Sequence, residues 1–86
     1  MRGRRRALQH ALAFNPDDAY TLSRLGTVEL ALGRFGDAVT SFTKALGLEP
    51  NACATLIQRA VAFKAMSRYE EALRDYNSAI EATPNF

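Results

Sequence analysis

The chain has 86 residues, 48% of them hydrophobic and 23% charged, with a single cysteine. That is room for one small domain, it lies outside the composition of disordered chains, and it excludes a disulfide-built miniprotein. The formal charge is +2, but four of the eleven basic residues are Arg2, Arg4, Arg5 and Arg6, so the rest of the chain has seven basic residues against nine acidic ones, a charge of −2.

Residues 1–6 form a basic tail with no apolar stretch behind it and no small-residue cleavage site, unlike a secretory leader. Four arginines there can attract phosphate in a salt-dependent way. No aromatic residue interleaves with them and no base-reading module follows, so a solvated tail is the simpler account and nucleic acid the less favoured partner. Electrostatic binding of nucleic acid or of an acidic surface is the alternative function this tail offers. Deleting residues 1–6 separates it from binding by the body. No apolar run approaches the ~20 residues that span a bilayer. The lone Cys53 suits a reducing compartment, which points to an intracellular, cytoplasmic setting.

Pro16, Pro50 and Pro84 recur at intervals of 34 residues. Overlaying residues 19–52 on 53–86 gives identities at Thr21/Thr55, Leu22/Leu56, Ala31/Ala65, Arg34/Arg68, Ala38/Ala72, Ala45/Ala79, Pro50/Pro84 and Asn51/Asn85. The agreement falls on small and apolar positions, as in packing units whose contact surface alone is constrained. The expected organisation is a tail over 1–6, part of a unit over 7–18, and whole units over 19–52 and 53–86.

Leu8, Ala11 and Leu12 match Phe42, Ala45 and Leu46 one period on, which predicts a helix over about 4–14. Pro16, Asp17 and Asp18 supply a breaker and N-cap candidates for the next helix, marked by Leu22, Leu25, Gly26, Val28 and Leu32. Gly33 suits a C-terminal cap of positive φ. Asp37 falls in the first turn of a helix carried by Ala38, Phe42, Ala45 and Leu46, which Pro50 stops at or before Glu49. Gly47 weakens that helix by roughly 1 kcal/mol relative to alanine. Leu56, Ala60, Phe63 and Met66 mark a fourth helix, and Tyr69, Ala72, Leu73, Tyr76, Ala79 and Ile80 a fifth. Glu70, Glu71 and Asp75 read as a solvated face that complements the fifth helix's dipole, with Glu70 and Arg74 as an i,i+4 pair. No strand pattern occurs.

These units resemble the tetratricopeptide repeat. The first reads Leu22-x2-Leu25-Gly26, Phe35, Ala38-x3-Phe42-x2-Ala45-x4-Pro50. The second reads Leu56-x2-Arg59-Ala60-x2-Phe63, Tyr69, Ala72-x3-Tyr76-x2-Ala79-x4-Pro84. The resemblance covers residues about 7–86. It implies an all-α, antiparallel helix-turn-helix solenoid of about two and a half units. The small pairs Gly26/Ala60 and Ala38/Ala72 fall where helices approach closely, and a larger side chain would strain the packing by roughly 1–3 kcal/mol. Glu29 stands where the family has an aromatic residue and Arg59 where it has leucine. Both are expected at the edge of the helix pair, snorkelling outward, although Glu29 could instead face a partner or a neighbouring helix.

Nothing in the sequence assembles catalysis or a cofactor site. His10 is the only histidine and Cys53 the only cysteine, so neither a Cys/His metal cluster nor a dyad can form. The glycines form no phosphate loop. The expected function is therefore non-catalytic: a protein–protein interaction or scaffold module, drawn from a longer repeat protein. The resemblance implies a concave groove lined by the first helix of each unit, holding a peptide or a partner helix. Carried over by position, it comprises Tyr20, Ser23, Arg24, Thr27, Leu30 and Ala31, then Ala54, Ile57, Gln58, Val61, Lys64 and Ala65, with Tyr20, Ser23, Arg24, Thr27, Ile57, Gln58, Val61 and Lys64 as the binding candidates. Co-chaperone members clamp a C-terminal carboxylate with lysine, asparagine and arginine. Here Ser23 and Thr27, or in the next register Arg24, Ala54 and Gln58, do not keep that pattern. The units bury their ends only against neighbours, so both ends are expected to expose apolar side chains and to self-associate unless covered.

Overall fold

The computed structural model describes residues 18–83. They form four helices in two hairpins: α1 (Ala19–Ala31), α2 (Phe35–Leu48), α3 (Cys53–Ala65) and α4 (Tyr69–Ala82). No strand occurs among them. Of the five expected helices these are four; the one expected over about 4–14, like the tail and His10, lies outside the described residues. Contacts run mainly between chain neighbours, α1 with α2, α2 with α3 and α3 with α4, and α1 touches α3 more lightly. This is the connectivity of a solenoid, in which each element is stabilised by the next.

The helix ends follow local chemistry. Asp18 has extended φ/ψ and caps α1, accepting from the Tyr20 N–H at 3.0 Å and from the Thr21 hydroxyl at 3.0 Å. Gly33 takes φ +81° in the α1–α2 turn. One period later Ser67 takes φ 63° in the α3–α4 turn, where glycine carries no steric cost and serine does. Asp37 lies in the first turn of α2, and Glu70 and Glu71 in that of α4. Glu71 is taken by Arg68, whose Nε donates to it at 2.8 Å. Glu70 does not form the expected pair with Arg74, because no ion pair joins the two.

The core is a line of small contacts closed by aromatics. Phe42 of α2 is fully buried against Ala38 and Ala62. A Cβ built on Gly26 would fall 2.5 Å from the Phe42 ring, so this glycine is the space the ring occupies. Ala60, Phe63 and Ala72 form the matching cluster in the second unit, with Val39 and Tyr76 against it. Leu46, Leu56 and Ala79 join the two hairpins.

Two departures from the expected packing concern polar residues. Arg59 does not snorkel outward. Its guanidinium donates through Nε and Nη2 to both oxygens of Asp75, each at 2.7 Å, and through Nη1 to Thr43 at 3.1 Å. Asp75 is accordingly no solvated residue but 4% exposed. Burial of a carboxylate is tolerable only with such a bidentate partner. Glu29 likewise turns to its own hairpin, where the buried Ser41 hydroxyl donates to it at 2.7 Å. Ser41 and Asp75 occupy the same position of the repeat, so each hairpin carries its own polar pair there.

The apolar stripes are also not covered throughout. Val28 and Leu32 of α1, and Tyr69, Leu73 and Ile80 of α4, are exposed. Their counterparts toward the middle, such as Ala62 and Leu46, are buried because a neighbouring helix lies against them. Among the described residues nothing lies beyond α4.

Candidate functional site

The candidate residues sit on α1 and α3, the first helices of the two hairpins, which run as neighbours. Side chains three and four residues apart share one face of a helix. Tyr20, Ser23, Arg24 and Thr27 therefore form one stripe on α1, and Ile57, Gln58, Val61 and Lys64 another on α3.

Two polar contacts join the stripes. The Ser23 and Thr55 hydroxyls meet at 3.0 Å. Thr27 Oγ1 lies 2.6 Å from the Gln58 carboxamide and 2.9 Å from the Ser23 carbonyl. One hydroxyl proton cannot serve both acceptors. With the Gln58 carboxamide turned so that its NH2 donates, Thr27 gives its proton to the Ser23 carbonyl and both contacts are satisfied. Thr55, buried at the start of α3, was not among the sequence candidates. Its identity with Thr21 in the repeat overlay gave no hint that it faces Ser23.

Tyr20 and Arg24 form a unit of their own. Arg24 Nη1 donates to the Tyr20 hydroxyl at 3.0 Å, and the guanidinium stands 5.6 Å from the ring centroid. Tyr20 remains 67% exposed, so both side chains are displayed rather than packed away. A cleft of about 290 Å³ opens beside them, lined by Ala19, Tyr20, Ser23, Ala45, Glu49, Ala52, Ala54 and Thr55. Small residues at 19, 45, 52 and 54 leave this space open, and Glu49 contributes a carboxylate to its lining.

Ile57, Val61 and Lys64 are exposed on α3 and form no side-chain hydrogen bond to the α1 stripe. Ile57 and Val61 are large apolar side chains left in solvent on a helix that buries five other residues. Lys64 lies in the last turn of α3, where it also complements the helix dipole.

A second, larger cleft of about 580 Å³ lies between α2, α3 and α4. The Arg59–Asp75 pair lines it together with Leu46, Pro50, Arg74, Ser78 and Glu81. Two of its charged groups, Arg59 and Asp75, are partnered with each other, and Leu46 and Leu56 beside them join the hairpins, so this part of the cleft is a structural seam. Cys53 Sγ sits 3.2 Å from the Thr83 hydroxyl and 3.5 Å from the Ala79 carbonyl, tying the start of α3 to the end of α4. No group of three or more His, Cys, Asp or Glu side chains is placed to share a metal ion among the described residues. None of the described helices is long and apolar enough to cross a membrane.

Comparison with known proteins agrees with this architecture. The tetratricopeptide repeat pattern matches residues 19–52 and 54–86. A DnaJ homolog subfamily C member 7 homolog from Schizosaccharomyces pombe is 37% identical over 75 residues, covering 83% of this chain and 16% of its own length. The solved structure of a MamA point mutant superposes with a TM-score of 0.79 at 38% identity, over 83% of this chain and 52% of that one. The chain thus spans about half or less of the length of these relatives. With two units in register and their helices folded as hairpins, this chain belongs to the tetratricopeptide repeat family.

Proposed function

We propose that the protein is a non-catalytic protein-binding module whose contact surface is the face built by α1 and α3. The observation that carries this reading is the pairing of display with rigidity. Tyr20, Ile57 and Val61 are large side chains held in solvent, on two helices pinned to one another by Ser23–Thr55 and Thr27–Gln58. Pinned helices lose little conformational entropy when a ligand docks. Exposed aromatic and aliphatic side chains beside a small cleft supply the anchor pockets that peptide recognition uses. Replaced singly, Tyr20, Arg24, Ile57 and Val61 contribute unequally, as in other interfaces where a few residues carry most of the energy.

The test is selection from a displayed library of random peptides against the purified chain. Peptides that bind the parent chain are expected to lose affinity for Ile57→Arg and Thr27→Trp, both of which keep the helical circular dichroism of the parent. Binders that ignore both replacements and instead lose affinity for changes on α2 or α4 would refute the assignment of the surface.

A further inference from the structure

The side of α4 turned away from α3 carries a symmetric pattern. At about 100° per residue, Leu73, Asn77 and Ile80 fall within about 60° of one another. They lie nearly opposite Ala72, Asp75 and Ala79, the residues that α4 buries. All three are exposed. Arg74 and Glu81 border them on one side. Both are exposed, and neither lies within ion-pair distance of an opposite charge among the described residues. Arg74 stands three residues before Asn77 and Leu73 four before it, while Ile80 stands three after it and Glu81 four. Reversing the helix about Asn77 therefore exchanges an apolar side chain with an apolar one, and a cation with an anion. The first unit does not repeat this. There α2 has Val39 and Leu46 at the apolar positions, both packed into clusters that α3 joins. Where α4 has Arg74 and Glu81, α2 has the uncharged Thr40 and Gly47. A face covered only by a further repeat uses the apolar positions alone, so the two charges point to another occupant.

From this pattern we infer that α4 pairs with the α4 of a second copy of the chain, antiparallel across a two-fold axis that passes beside Asn77. The contact is isologous, the same patch serving on both copies. With Asn77 level with its own image, Leu73 of each copy lies one residue, about 1.5 Å, from the level of Ile80 in the other. Arg74 lies the same distance from the level of Glu81. The apolar pairs leave water together, and each arginine meets a glutamate. A parallel pairing instead sets Arg74 against Arg74 and Glu81 against Glu81. Glu70 lies one turn before Arg74 on the same side, and its charge offsets part of the attraction. The patch spans little more than two helical turns, small beside the about 1,200–2,000 Å² of a standard interface, so the pairing is weak and concentration-dependent. It lies on the side of α4 away from α3 and leaves the α1–α3 face open.

Sedimentation equilibrium of the intact chain is expected to show monomer and dimer in exchange. R74E and E81R are each expected to weaken the dimer about tenfold, since each replaces two ion pairs with two like-charge contacts. The double variant R74E/E81R only exchanges the two charges and is expected to recover the parent's affinity. All three change exposed side chains and are expected to keep the parent's helical circular dichroism. The two-fold geometry has its own test. Helix axes about 8–10 Å apart bring the two Asn77 Cα atoms to about 5 Å, within disulfide range. Asn77→Cys, combined with Cys53→Ser so that it is the only thiol, is expected to give disulfide-linked dimers under mild oxidation. Lys44→Cys, exposed on α2, is expected to give none in the same background. A chain that stays monomeric at millimolar concentration overturns the proposal, as does a double variant as weak as the singles. Association that L73E/I80E disrupts but Asn77→Cys does not trap also overturns it, and assigns the face to end-to-end stacking of repeats.

Discussion

Arg59 and Asp75 show how one repeat position can be rewritten in pairs. In the first unit the same two positions are Leu25 and Ser41. Changing one partner alone strands the other. Asp75→Ala leaves a largely buried guanidinium without its carboxylate and is expected to lower unfolding free energy by about 2–3 kcal/mol. Replacing both with the first unit's residues, R59L/D75S, is expected to recover most of that loss in urea denaturation. Additive losses would show that the pair is not a unit. At the turns the prediction has the opposite sign. Ser67→Gly relieves a left-handed serine and is expected to stabilise by about 0.5 kcal/mol, whereas Gly33→Ala, at φ +81°, costs about 1 kcal/mol. Arg68 holds the Glu71 carboxyl below its ordinary value, mainly through their hydrogen bond. A carboxyl depressed in the folded state adds stability that is present above its unfolded pKa. That stability is lost as pH falls through the lower, folded value. Both groups are at the surface, so Glu71→Gln is expected to flatten only slightly the acid limb of a thermal-melting profile against pH.

At the scale of the helix, the tightest constraint is the seat of Phe42 against Gly26. Gly26→Ala pushes a Cβ into a ring that is fully buried. The helices must separate or the ring must move, at about 1–3 kcal/mol, and Phe42→Leu in the same chain should restore part of the loss in denaturant melts. The helices and their seams were readable from the sequence because the prolines, small residues and large apolar residues repeat in one register. That reading placed Asp18 and Gly33 correctly at the ends of α1. The polar pairs were not readable. Arg59 and Asp75 lie sixteen residues apart on different helices, and nothing in a single helix's pattern says that a carboxylate turns inward to meet a guanidinium. Val28, Leu32, Leu73 and Ile80 fit their helical stripes, yet they are exposed. Periodicity names the face of a helix but not whether another helix covers it. For the α1–α3 face, register identified the stripes, while the Ser23–Thr55 and Thr27–Gln58 bonds that hold them together depend on how the hairpins stack.

Over the whole molecule, two kinds of exposed surface coexist and have different consequences. The outer side of α4 displays Tyr69, Leu73 and Ile80, the last 70% exposed, whereas its counterpart on α2, Leu46, is buried by α3 and α4. An uncovered repeat seam of this kind promotes association. The 86-residue chain is expected to show a concentration-dependent mass in light scattering, which L73E/I80E reduces without loss of helix. An unchanged mass in that variant would exclude the seam as the cause. The α1–α3 face differs in carrying paired hydroxyls, a stacked Tyr20–Arg24 pair and a cleft, which suit a ligand better than another repeat. The most direct measurement is a two-dimensional amide NMR titration of the labelled chain with a peptide selected for binding. Shifts concentrated at Tyr20, Arg24, Thr27, Ile57, Gln58 and Val61 are the predicted result. Shifts concentrated on α2 and the outer side of α4, with the α1–α3 stripe unmoved, would contradict the account.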